Sequence, residues 1–160
     1  MLKNKKTLGV HIRGTDFNKQ FNNHPVPVTV KEYVNLINQV YEKYGYKQVF
    51  IATDDERCLQ QIRKELKVPI VYYKNTKRSS TNRSVAFSSG ARKYDKYHMG
   101  LEVLTDAYTL AECDGFIGCL SQVDICVQII KKSMEQEFEF IKIIDNGTVK
   151  NDRDCWEPRG

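Results

Sequence analysis

Short apolar runs alternate along the chain with stretches in which apolar residues recur every three or four positions. The run Leu8-Gly9-Val10-His11-Ile12 stops at Arg13-Gly14-Thr15-Asp16 and reads as a buried strand feeding a polar loop. After a loop holding His24-Pro25-Val26-Pro27, Thr29 and Glu32 have the spacing of a capping box. Val30, Tyr33, Val34, Ile37, Val40, Tyr41 and Tyr44 then follow at helical period, with Gly45 as the stop. Residues 48–52 predict a second strand. Thr53 and Glu56 repeat the capping signal and predict a helix that ends near Val68 with Leu59, Ile62 and Leu66 inward. A third strand is predicted over 68–73, with Pro69 at its start. Residues 74–97 are polar, have no period and predict a loop. A helix over 99–113, a strand over 115–119, a helix over 121–134 and a strand over 138–144 complete the pattern, and 145–160 read as a tail.

Strands separated by single helices predict an α/β domain, a parallel sheet covered on both faces. The chain has 160 residues, enough for one domain with a real core, and shows no internal repeat or linker. One domain over 1–160 is therefore expected, its core spanning about 8–145. Being 41% hydrophobic and 28% charged, it is globular in composition rather than disordered. Its net charge of +5 favours an anionic ligand but falls short of a protein that coats nucleic acid. No stretch approaches the ~20 apolar residues of a membrane helix. Residues 1–7 are polar and lysine-rich, unlike a signal peptide. The five cysteines are scattered, without a C-x-x-C pair, and read as reduced thiols of a cytoplasmic protein.

In parallel sheets ligands bind beyond the carboxyl ends of the strands. That rule draws attention to 11–16, 53–55, the loop after Tyr73 and 118–122. Arg13, leaving a buried strand beside Gly14, has the chemistry to clamp a phosphate; a structural Arg13–Asp16 pair is the alternative. Asp54 and Asp55 suit ribose hydroxyls, or equally the first turn of a helix. Ser121 reads as an N-cap, and the helix start it marks is also an anion site. Asp106 lies on a helix with Leu104, Tyr108 and Ala111, either solvated or reading a donor-rich purine edge. The loop carries Lys74, Lys77, Arg78, Arg83, Arg92, Lys93 and Lys96, opposed within it by Asp95. This cluster supports a rival reading as a module for nucleic acid or another polyanion, although it lacks a strand-borne aromatic platform.

Three segments resemble the GDP-fucose-dependent fucosyltransferase superfamily, which includes α-1,6, nodulation, bacterial α-1,2 and protein O-fucosyltransferases. Its first motif, a strand ending in His-x-Arg-x-(Thr/Gly)-Asp, is matched by His11, Arg13, Thr15 and Asp16. Its acidic pair after a strand is matched by Ala52 to Asp55. Its Asp-bearing helix, strand and Ser-Gln-Val turn are matched by Asp106 and by Ser121-Gln122-Val123. Order and spacing agree over 8–145.

The resemblance implies the second, Rossmann-like domain of a GT-B type, inverting transferase that needs no metal or other cofactor. It implies GDP-fucose or GDP as ligand and a sugar or glycan as acceptor. It places Arg13 on the β-phosphate, Ser121 at the diphosphate and Asp106 on guanine, with His11 near the base and Gln122 among the residues that bind GDP-fucose. Asp54 and Asp55 would support the pocket beside Gly14, and Asp16 is the candidate base. Where many core-type enzymes carry a second arginine, this chain has Gly14. A GT-B enzyme works between two domains, so the acceptor half is expected from an N-terminal domain not in this chain or from a partner, the alternative being a donor-binding remnant without turnover.

Overall fold

In the computed structural model, which describes residues 2, 4–15, 21–87 and 92–152, five parallel strands form one sheet. They are β1 (Thr7–Ile12), β2 (Gln48–Thr53), β3 (Ile70–Val71), β4 (Gly115–Cys119) and β5 (Phe140–Ile144). Their order across the sheet is β3-β2-β1-β4-β5. The chain moves outward from β1 to β3 through α1 (Val30–Lys43) and α2 (Glu56–Glu65). It then returns through α3 (Asp95–Glu112) to the other side of β1, and α4 (Gln122–Ser133) leads on to β5. Parallel crossovers are right-handed. Reversing direction at β1 therefore puts α3 and α4 on the opposite face from α1 and α2.

Alternation along the strands supplies both faces. Leu8, Val10 and Ile12 of β1 join Val49 and Ile51 of β2 against Tyr33, Ile37, Leu59 and Ile62. Phe50 and Ala52 turn the other way, towards Ala107, Leu110, Phe116 and Val127. Gly9 lies on that second face. A Cβ there would stand 3.0 Å from Cys113 Sγ and 3.1 Å from Leu110, so its absence lets α3 pack close. His11, two residues on, shares the face and is 7% exposed.

The predicted capping box starts α1: Thr29 Oγ1 accepts from the Glu32 amide, and Glu32 accepts from the Thr29 amide at 2.7 Å. Gly45 follows its end at φ 70°. The second capping box is corrected. Thr53 ends β2 and accepts from the Asp55 amide, whereas Asp55 caps α2 by accepting from the Arg57 amide at 2.9 Å. Only two residues of the predicted third strand pair as β3. The segment 74–97 is not wholly irregular: Val85–Phe87 make a 3-10 turn, and α3 begins four residues before the predicted start. Its charged first turn is anchored by Asp95, which accepts from Lys77 at 2.7 Å and Arg92 at 3.1 Å.

The tail also needs correction. Gly147 to Val149 run antiparallel to Asn23–Val26, with bonds from Asn23 N to Val149 O (2.9 Å), Val149 N to His24 O (2.8 Å) and Val26 N to Gly147 O (2.9 Å). Deleting 145–160 is expected to speed hydrogen exchange of the Asn23 and Val26 amides by roughly tenfold or more and leave the middle of α1 protected. Unchanged exchange at those two amides, read by mass spectrometry, would contradict the ladder.

Candidate functional site

β1 and β4 are adjacent, yet their following segments leave the sheet in opposite senses, which opens a crevice beyond their carboxyl ends. A cavity of about 530 Å³ lies there, lined by His11, Arg13, Thr53, Asp54, Lys77, Glu102 and Asp106 among polar groups. Met99, Val103, Leu104 and Val123 give it apolar walls. A second cavity of about 310 Å³ is lined by Arg13, His24, Pro25, Leu120, Ser121, Gln122 and Val123. Arg13 and Val123 border both. The ladder to the tail holds the His24–Pro25 wall of the smaller one.

Arg13 lies 3.5 Å from Asp54. Asp54 also accepts from the Gly14 amide at 3.1 Å and the Thr15 hydroxyl at 2.8 Å. Thr15 is buried at φ 44°, a costly conformation for a β-branched residue, and these bonds hold it there. Asp55 turns inward, accepting from the Thr15 amide at 3.3 Å and from Arg57 Nη2 at 2.6 Å. Burial raises the Asp55 carboxyl, but hydrogen bonds from Arg57 and the Thr15 amide outweigh this and hold it below the ordinary carboxylate range. Gly14 and Asp55 line neither cavity. A Cβ at Gly14 would collide with that of Asp55, so the glycine serves the close approach of two loops. Asp16 lies outside the described residues.

On the opposite side of the crevice, Ser121 caps α4 and accepts from the Asp124 amide. Its hydroxyl proton goes to Asp124 Oδ2. Asp124 is 1% exposed, and both its oxygens are 3.0 Å from His11 Nδ1. A Cβ at Gly118 would collide with Asp124 Oδ1. Sequence reasoning missed Asp124. Its signal was the Ser-x-x-Asp spacing from Ser121, a capping-box variant that reads as local structure. Gln122 and Val123 open α4 and line the smaller cavity, and amides in a first helical turn have no intrahelical acceptor.

Asp106 reaches the larger cavity from α3. Burial pushes its carboxyl up to about 6, with the charges of Arg78 and His11 opposing the rise. Two of the loop's cations are neutralised locally: Lys77 pairs with Asp95 and Arg92 with both Asp95 and Glu102, at 2.6 Å to the latter. Arg78 donates to the carbonyls of Tyr73 (2.9 Å) and Thr76 (3.2 Å). These pairings favour a loop folded over the cavity rather than a free polyanion-binding arm. Among the described residues no group of three or more His, Cys, Asp or Glu could hold a metal, and Cys58, Cys113, Cys119 and Cys126 are free thiols. No helix of the described residues is long and apolar enough to cross a membrane.

The five-stranded parallel sheet, its helices on both faces and the crevice at its point of reversal define a Rossmann-like α/β domain. No protein-family model and no curated protein matches the sequence. Among solved structures the chain is similar to POFUT1 in complex with GDP. The TM-score is 0.57 at 13% identity over 87% of this chain and 43% of that one. POFUT1 in complex with GDP-fucose gives 0.55 at 13% identity, over 88% and 41%. NodZ α-1,6-fucosyltransferase co-crystallized with GDP gives 0.46 at 16% identity, over 78% and 35%. The chain spans about two fifths of the POFUT1 chain, and likeness at such identity shows the fold.

Asp106 makes a stability test. Its folded pKa of about 6 lies above the ordinary 3.8, so the folded state holds the proton more tightly. That contribution is fully present below about pH 4 and is lost as pH rises through about 6. Asp106→Asn is therefore expected to raise unfolding free energy at neutral pH by on the order of 2 kcal/mol, with the gain vanishing in acid. Urea denaturation across that range checks it, and a gain independent of pH would refute burial as the cause.

Proposed function

We propose that this chain is the nucleotide-sugar-binding domain of a fucosyltransferase-like glycosyltransferase and that it holds GDP-fucose in the two joined cavities. The observation that carries the reading is Arg13, which borders both cavities at the point where the sheet reverses. The larger cavity has the volume and the apolar walls for a nucleoside, with Asp106 able to accept from the N–H donors of guanine. A diphosphate beside Arg13 would meet a guanidinium on one side and the first-turn amides of α4 on the other. The smaller cavity, with Ser121, Gln122, His24 and Leu120, takes the hexose. The resemblance of the motifs and the fold shared with POFUT1, solved with GDP and with GDP-fucose, support this choice of ligand.

The reaction proposed is inverting transfer to a sugar or glycan acceptor in a GT-B arrangement. Departure of GDP needs its developing charge met, which Arg13 and the α4 amides supply without a metal. A base must take the acceptor's proton, and Asp16 is the candidate. The acceptor wall belongs to a second domain, consistent with a chain that spans 43% of POFUT1. A cytoplasmic setting, suited to free thiols, is part of the same proposal.

Calorimetry tests the donor site. GDP is expected to bind more tightly than UDP, with Asp106→Asn reducing the preference and Arg13→Ala weakening GDP by about tenfold or more. Because Asp106 accepts as the carboxylate, GDP affinity is expected to fall as pH drops through about 6. A chelator should change nothing. Equal affinity for GDP and UDP, or a magnesium requirement, would count against the reading.

A further inference from the structure

His11 and Asp124 are 113 residues apart and meet across the point of sheet reversal, one at the end of β1 and the other in the first turn of α4. The carboxylate is 1% exposed, so its charge must be met by donors from the protein. Three converge on it: His11 Nδ1 at 3.0 Å, the Ser121 hydroxyl, and Cys119 Sγ at 3.7 Å. An ionised carboxylate only accepts, so the hydrogen between it and the ring belongs to Nδ1. Nε2 has no partner among the described residues and is left to the cavity that His11 lines.

We propose that Asp124 is a positioning residue: it keeps the proton of neutral His11 on Nδ1 and so presents Nε2 to the larger cavity as an acceptor. The bond made at one ring nitrogen decides what the other offers. The cavity then carries two acceptors, His11 Nε2 and the Asp106 carboxylate, and selects a ligand edge rich in N–H or hydroxyl donors. A base offering only acceptors at that point is rejected, since it would leave buried groups unpaired. Asp124 has a second effect through Ser121, whose hydroxyl proton it takes. The anion donors left at that helix start are the Gln122 and Val123 amides, independent of any side-chain rotamer. Gly118 is part of the device, because a side chain there would occupy the position of the Asp124 carboxylate.

The ligand in this inference rests on the GDP-sugar reading, whereas the tautomer does not, and the experiment separates the two. Nitrogen-15 NMR of His11 at about pH 8, where histidine is ordinarily neutral, is expected to show Nδ1 protonated and Nε2 bare. Asp124→Asn supplies an amide that donates as well as accepts, and should move the ring towards the Nε2–H form. GDP binding to that variant should weaken about tenfold, and His11→Gln should add little further loss in the Asp124→Asn background. An Nε2–H ring in the unaltered protein overturns the proposal, and so does full GDP affinity in a folded Asp124→Asn protein or a loss that does not depend on His11. If GDP fails to bind the unaltered protein while Nδ1 is protonated, the nucleotide reading falls and the tautomer assignment stands.

Discussion

A carboxylate buried at the seam where a parallel sheet reverses direction has to find its hydrogen bonds inside the protein, and Asp124 finds them in residues from two separate elements. His11 comes from the strand on one side of the seam, Ser121 from the start of the helix on the other. Leaving such a group unpaired would cost several kcal/mol, so the strand end and the helix start are held in one geometry. Much else follows from this bond. Residue 118 must be glycine, the imidazole must present one fixed edge, and α4 must aim its first amides at the crevice.

The far wall is held by the same kind of logic with the roles divided. Asp54 faces out, bonds the Gly14–Thr15 turn and stands beside Arg13; Asp55 faces in, caps α2 and takes Arg57. Two adjacent acids thus do different work because successive positions at the end of a strand point opposite ways. Asp54, itself mostly buried, stands 3.5 Å from the guanidinium and helps to steer it. Over the top, α3 brings Asp95 and Glu102 to the basic loop and leaves Asp106 deeper, where desolvation dominates its chemistry.

The elements that were legible in the sequence owe their form to local rules. The capping box at Thr29 and Glu32, the apolar stripe of α1 and the buried runs of β1, β2 and β4 need no distant partner to be recognised. The misplaced features depend on polar partners outside any apolar pattern. Thr53-Asp54-Asp55 offers three successive caps, and only the turn at Gly14 and Thr15, forty residues earlier, assigns one acid to each task. The first turn of α3 has no apolar period and stands on ion pairs from Lys77 and Arg92. Asp124 resembled any acidic residue in a first turn until His11 was placed against it. That Arg13, Asp106 and Ser121 line the crevice was legible because the edge of the sheet on which a ligand binds follows from topology alone, whereas which polar residues consume one another does not.

The rim of the smaller cavity is closed by two segments that lie far apart in the sequence. Lys150 reaches Asn23 at 3.2 Å across 127 residues of sequence, beside the ladder that joins 147–149 to 23–26. His24 and Pro25 are synthesised long before the segment at 147–149 that fixes them. The sheet and both helical layers take no hydrogen bond from this ladder. Contacts of such long range are slow to form and add little to the core. The wall can consequently vary in length and sequence without endangering the domain that carries it.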